Sequence, residues 1–87
     1  MNKARRPLIA GNLKMNHGGA NACNLASAVK RTTAEFDKVD VVVCPPFTAI
    51  AWVAEELRGS AVQVGAQNVH PKDSGAFTGE VSASMLL

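Results

Sequence analysis

The apolar positions of this chain change period as they run, and the changes divide it into elements. Residues 7–14 begin with a short apolar run and end on polar side chains, which predicts a first strand. Beyond the Gly18-Gly19 break, Ala22, Leu25, Ala26, Val29, Thr33 and Phe36 recur at the spacing of one helix face, while Lys30, Glu35 and Lys38 occupy the other. Val39 and Val41-Val42-Val43-Cys44 are apolar without alternation, as a parallel strand covered on both faces requires, and Pro45-Pro46 stops them. Thr48 is placed to cap a second helix, with Ile50, Val53, Ala54 and Leu57 on its inner face, Glu55, Glu56 and Arg58 outside and Gly59 as its stop. Trp52 falls beside that inner stripe, a flanking position. Residues 61–68 predict a third strand, again ending on polar side chains. A loop follows over residues 73–82, with Gly75 and Gly79 around Phe77 and Thr78, and Ser82 can cap a third helix.

The order is strand, helix, strand, helix, strand, with connections long enough for parallel pairing through right-handed crossovers. The fold class is therefore α/β. Two architectures satisfy the pattern: a doubly wound sheet, or the opening third of a (β/α)8 barrel. No Gly-x-Gly-x-x-Gly turn follows the first strand and no Gly-x-x-x-x-Gly-Lys-Ser/Thr loop occurs, so the dinucleotide-binding and P-loop readings lose their main support.

Composition narrows the function classes. The 87 residues, 47% hydrophobic and 18% charged, suffice for one small globular unit. No apolar run approaches the ~18 residues of a membrane span, and Lys3, Arg5 and Arg6 precede no long apolar segment, so a cytoplasmic protein away from the membrane is expected. A net charge of +2 with dispersed basic residues argues against a nucleic-acid partner. Cys23 and Cys44 fit buried free thiols better than a disulfide in this setting. His17 and His70 have no Cys or His partner at ligand spacing, so no metal is expected.

The candidate chemistry lies at the end of the first strand. Alternation along a strand predicts that the Asn12 and Lys14 side chains face the same way, so that an amide and a fixed positive charge converge. Ligands bind at the carboxyl ends of parallel strands, and a lysine there suits an anion such as phosphate or a developing oxyanion.

Four segments extend this reading. Gly11-Asn12-Leu13-Lys14-Met15-Asn16, Cys44-Pro45-Pro46, Gly65-Ala66-Gln67-Asn68 and Gly75-Ala76-Phe77-Thr78-Gly79-Glu80-Val81-Ser82 follow one another at consecutive strand ends and loops. In that order they resemble the triosephosphate isomerase family, and the likeness runs over residues 7–87. The resemblance selects the (β/α)8 TIM barrel over the doubly wound sheet. Members of the family run to ~250 residues in eight β/α units. The resemblance thus implies that residues 1–87 form the amino-terminal part of one barrel domain, a fragment with three strands, two helices and the start of a third helix.

What the family does is then expected of this chain's site. The resemblance implies interconversion of dihydroxyacetone phosphate and D-glyceraldehyde 3-phosphate in glycolysis and gluconeogenesis, by proton transfer through an enediolate and without a cofactor. Lys14 matches the active-site lysine, whose charge would offset the substrate phosphate and the enediolate oxygens. Asn12 matches the asparagine that donates a hydrogen bond to the substrate. The family's histidine electrophile, glutamate base, lid and later phosphate-binding loops have no match here: His17 and His70 do not align with them, and Glu80 matches a loop glutamate that pairs with an arginine further on. The 87 residues alone are therefore expected to be inactive. The Phe77-Thr78-Gly79 loop matches one that reaches across a two-fold axis, which implies a homodimer with Met15, Gln67, Asn68 and Thr78 at its interface. Leu13 replaces the family's usual tryptophan and should alter packing, and His17 stands where the family more often has glycine, which bears on the first loop. Beside the isomerase stand two other readings: a non-catalytic barrel fragment whose uncovered edges promote association, and a small phosphate-binding α/β module.

Overall fold

Residues 5–87 are described by the computed structural model. Three strands, β1 (Leu8–Asn12), β2 (Asp40–Cys44) and β3 (Gln63–Val64), pair in parallel in the order β1-β2-β3. Two helices cross between them, α1 (Gly19–Thr32) and α2 (Ile50–Glu56), and a last turn forms α3 (Ala83–Leu86). The principal extents, 43 × 40 × 21 Å, are those of a slab, one sheet with its crossover helices on one face.

The core explains that slab. Ala22 and Ala26 of α1, Val53 of α2, Leu57 just after it, and Val43, Ala49 and Val62 are buried together. The two alanines let α1 approach β2 closely, and Val41 and Val43, two apart on β2, face the same helices. Lys30 and Arg31 in the last turn of α1 complement the negative end of its dipole. Lys30 also donates to the Glu56 backbone carbonyl at 3.0 Å, joining α1 to α2. Leu13 packs partly against the core, the packing role its place on the strand predicts.

Several boundaries differ from the expected ones, each for a local reason. The first strand ends at Asn12 rather than Lys14: Leu13 N–H still donates to Cys44 O at 3.1 Å, but Lys14 adopts φ 56° and turns the chain out of the sheet. The first helix stops before Phe36, which is 66% exposed, because the Thr32 and Thr33 hydroxyls bond back to the carbonyls of Ala28 and Val29 and end it. Thr48 does not cap α2; Phe47–Ala49 forms a 3-10 turn, and Ala49, with no side-chain cap, leads into the helix. Ala54 is exposed, while Ile50, Val53 and Leu57 keep the inner face. β3 is far shorter than residues 61–68: beyond Val64 its partner strand among the described residues ends at Cys44, and the fully buried Pro45 that follows has no N–H to offer. Both cysteines are free thiols, half-buried rather than buried, with Cys23 Sγ 3.3 Å from the Trp52 carbonyl oxygen. Ser82 caps α3 as predicted, its side chain accepting from Met85 N–H. Among the described residues no helix is long and apolar enough to cross a membrane.

Candidate functional site

Strand register assembles the carboxyl end of the sheet. Asn12 pairs with Cys44, and the Gly65 N–H donates to Val43 O at 2.9 Å, so the ends of all three strands meet. Alternation places Asn12 and Cys44 on the face opposite the helices. The backbone at Gly65 lies against that same face. A Cβ built there would stand 3.0 Å from Cys44 Sγ and 3.3 Å from Val42 Cγ2, so only glycine fits without a shift.

Lys14 reaches this corner by a turn, which corrects the expectation that strand alternation aligns it with Asn12. Its backbone is left-handed, a conformation that costs a residue with a side chain about 1–2 kcal/mol. The Asn12 side-chain oxygen accepts the Lys14 backbone N–H at 2.8 Å and so holds the turn. The oxygen of Asn12 is thereby committed inward and its amide nitrogen, unpartnered among the described residues, is left as a donor. Lys14 is exposed and forms no ion pair among the described residues. One amide donor and one exposed ammonium thus share the end of β1, a combination suited to an anionic, oxygen-rich ligand.

Gln67 is the residue whose part sequence reasoning did not anticipate. Its Nε2 donates to Lys14 O at 2.9 Å and to Cys44 O at 2.8 Å, tying the strained turn to the end of β2. Carrying the two-residue period on from Gln63 through Gly65 would have brought Gln67 to this face. The first loop is braced further by Asn16, whose side-chain amide donates to Leu13 O at 3.1 Å. His17 takes φ 65°, a conformation that favours glycine, despite its side chain.

The residues expected at a subunit interface are all exposed: Met15 at 94%, and Gln67, Asn68 and Thr78. Met15 and Gln67 adjoin Asn12 and Lys14, while Thr78 sits on a separate loop that leaves His70 and returns to Ser82. His70 and Glu80 both lie on or beside that loop.

The sequence profile described as triosephosphate isomerase matches residues 7–87. This chain belongs to the triosephosphate isomerase family. It is similar to triosephosphate isomerase of Bradyrhizobium diazoefficiens, 49% identical over 86 residues that make up 99% of this chain and 34% of the relative. Triosephosphate isomerase of Synechococcus sp. (strain RCC307) is 52% identical over 86 residues, 98% of this chain and 34% of the relative. The crystal structure of triosephosphate isomerase from Bartonella henselae superposes with a TM-score of 0.78 at 34% identity, covering 94% of this chain and 33% of that one. The chain thus spans about a third of the length of the curated relatives it matches. Its parallel sheet with helices is a partial TIM barrel, and the corner at Asn12 and Lys14 lies at the barrel end where such folds carry their chemistry.

Proposed function

We propose that these residues are the amino-terminal part of a single-domain, cytoplasmic triosephosphate isomerase that interconverts dihydroxyacetone phosphate and D-glyceraldehyde 3-phosphate in glycolysis and gluconeogenesis. Lys14 is the catalytic and substrate-binding cation and Asn12 the substrate-binding amide. The observation that supports this reading is the turn at the end of β1, where Asn12 Oδ1 accepts the Lys14 backbone N–H at 2.8 Å and so leaves the Asn12 amide nitrogen as a donor beside the residue that carries the exposed cation. A triose phosphate supplies the matching charges: the phosphate in the ground state, and the enediolate oxygens as a proton leaves carbon. A preorganised donor and cation stabilise that developing charge more than the ground state. No cofactor enters this chemistry. The proton-abstracting glutamate and the histidine electrophile of the family match nothing among these 87 residues. The full enzyme is read as a homodimer with Met15, Gln67, Asn68 and Thr78 at the contact.

A coupled spectrophotometric assay tests the assignment. In the full-length enzyme Lys14→Ala should lower kcat/KM by a factor on the order of 10^3 or more, whereas the isolated 87 residues should show no turnover. Turnover by the isolated chain that vanished on Lys14→Ala would overturn the division of labour proposed here. The reading as a non-catalytic, associating piece is favoured by one observation, the exposed β1 edge with Leu8 and Ile9 more than half exposed. It predicts concentration-dependent association of the isolated chain by sedimentation.

A further inference from the structure

Every residue of the loop at 71–80 is exposed, yet the loop has a defined shape, and His70 is where that shape is set. The backbone N–H of His70 donates to Val81 O at 2.8 Å, and His70 pairs with Ser82 as an isolated parallel bridge, so the two ends of the loop are closed. Any residue could supply those backbone bonds. The side chain adds two that few others could. Its Nδ1 accepts the Lys72 N–H at 3.1 Å, forming the first turn of the loop, and its ring stacks on Phe77, the centroids 4.2 Å apart and the planes tilted by 34°. The backbone at Gly75, with φ 141°, crowds the same ring so closely that a Cβ there would lie 2.6 Å from Phe77 Cε2. Phe77 is thus held between an imidazole before it in the chain and a side-chain-free backbone, and Thr78 follows directly.

We propose that His70 is a positioning residue that shapes the Phe77-Thr78 loop and, through it, the docking of a second copy of this chain. The proposal rests on the reading of that loop as the dimer contact. Acceptance at Nδ1 requires a ring nitrogen without a proton, so the neutral imidazole carrying its hydrogen on Nε2 is the form that folds the loop. The imidazolium has no acceptor left, and the Lys72 N–H loses its partner. Lys72, Asp73 and Glu80 are the charged groups that line the small cavity beside His70, with a volume near 210 Å³; Ser82 and Met85, from the α3 side, bring no charge. The shape of the loop therefore depends on the His70 side chain, and its removal should weaken subunit docking.

The test uses the full-length enzyme carrying these residues and three variants. His70→Ala removes both side-chain contacts, His70→Asn offers an oxygen close to where Nδ1 stands, and His70→Phe keeps only a ring. Protection of the Lys72 amide from hydrogen exchange, corrected for intrinsic rate, and the subunit dissociation constant from dilution are read together. His70→Ala should lower Lys72 protection and weaken the dimer, each about tenfold. His70→Asn should recover Lys72 protection without the Phe77 ring-current shift, and His70→Phe should do the reverse. Unchanged Lys72 protection and Phe77 ring resonances in His70→Ala would overturn the proposal whatever the oligomeric state. If His70→Ala loosens the loop in an enzyme that stays monomeric at every concentration, the dimer reading has failed and the link from His70 to a partner falls with it.

Discussion

On the helix side of the sheet, Val43, Val53, Leu57 and Val62 are buried and pack with Ala22 and Ala26 chiefly by apolar contact. On the other side, Val42, Cys44 and Asn12 from the same strands are half-exposed or exposed, and order at the strand ends comes from the hydrogen bonds of Asn12, Gln67 and Leu13. The contrast separates two ways of fixing geometry. Burial fixes where strands and helices lie but is indifferent to direction, whereas hydrogen bonds at a strand end fix the aim of a single donor or cation. In these 87 residues the candidate site lies at the strand ends, where a few directional bonds rather than packing set the geometry.

Substitutions on the two faces should break this contrast by very different amounts. Val53→Asp places a carboxylate with no partner in the fully buried core, and a loss above about 4 kcal/mol is expected, seen as collapse of the helical circular dichroism signal. Gly65→Ala drives a methyl group into Cys44 Sγ and Val42 Cγ2 on the open face and should cost about 1–3 kcal/mol in chemical denaturation. Cys44→Ala made together with it should return much of that loss, the coupling expected of residues in contact. A neutral Gly65→Ala would mean that the open face relaxes freely and is not ordered as described. Gln67→Leu removes both bonds that tie the Lys14 turn to β2, for about 1–2 kcal/mol, and in the full-length enzyme should raise KM more than it alters the denaturation midpoint. His17→Gly should have the smallest effect and the opposite sign, since relief of a left-handed backbone stabilises by about 0.5–1 kcal/mol after the extra unfolded-state freedom of glycine is deducted.

Much of the fold was legible because its signals are periodic or chemical. The inner positions Ala22 and Ala26 and the Ser82 cap follow from local rules and stand where those rules place them, and the valines of β2 form the expected strand, although it is covered on one face rather than the two its unbroken pattern predicts. Phe36, Thr48 and the length of β3 did not follow. Phe36 continued the helical spacing, but two consecutive threonines turned their hydroxyls onto the last carbonyls and closed the helix first. Thr48 met the requirements of a cap, yet the chain leaving Pro46 tightened into a 3-10 turn and entered α2 without one. Residues 61–68 looked like a strand throughout, but beyond Val64 a strand needs a partner that β2, which stops at Cys44, does not supply.

At the candidate site the residue types were readable and their approach was not. An anion-binding argument points to Asn12 and Lys14, and both stand at the carboxyl end of β1, but the alternation used to align them does not reach Lys14, which lies outside the strand in a left-handed turn.

The sequence by itself determined the α/β order, the parallel pairing and the family, because periodicity and four spaced motifs are properties of neighbours along the chain. Only the tertiary structure decided that Asn12 spends its oxygen on Lys14, that Gln67 reaches back over 53 residues to hold the same turn, and that His70 closes the loop of Phe77. Those contacts join strand ends and loops through directional bonds. Their partners are set by where the packed strands stop, and no local pattern encodes that.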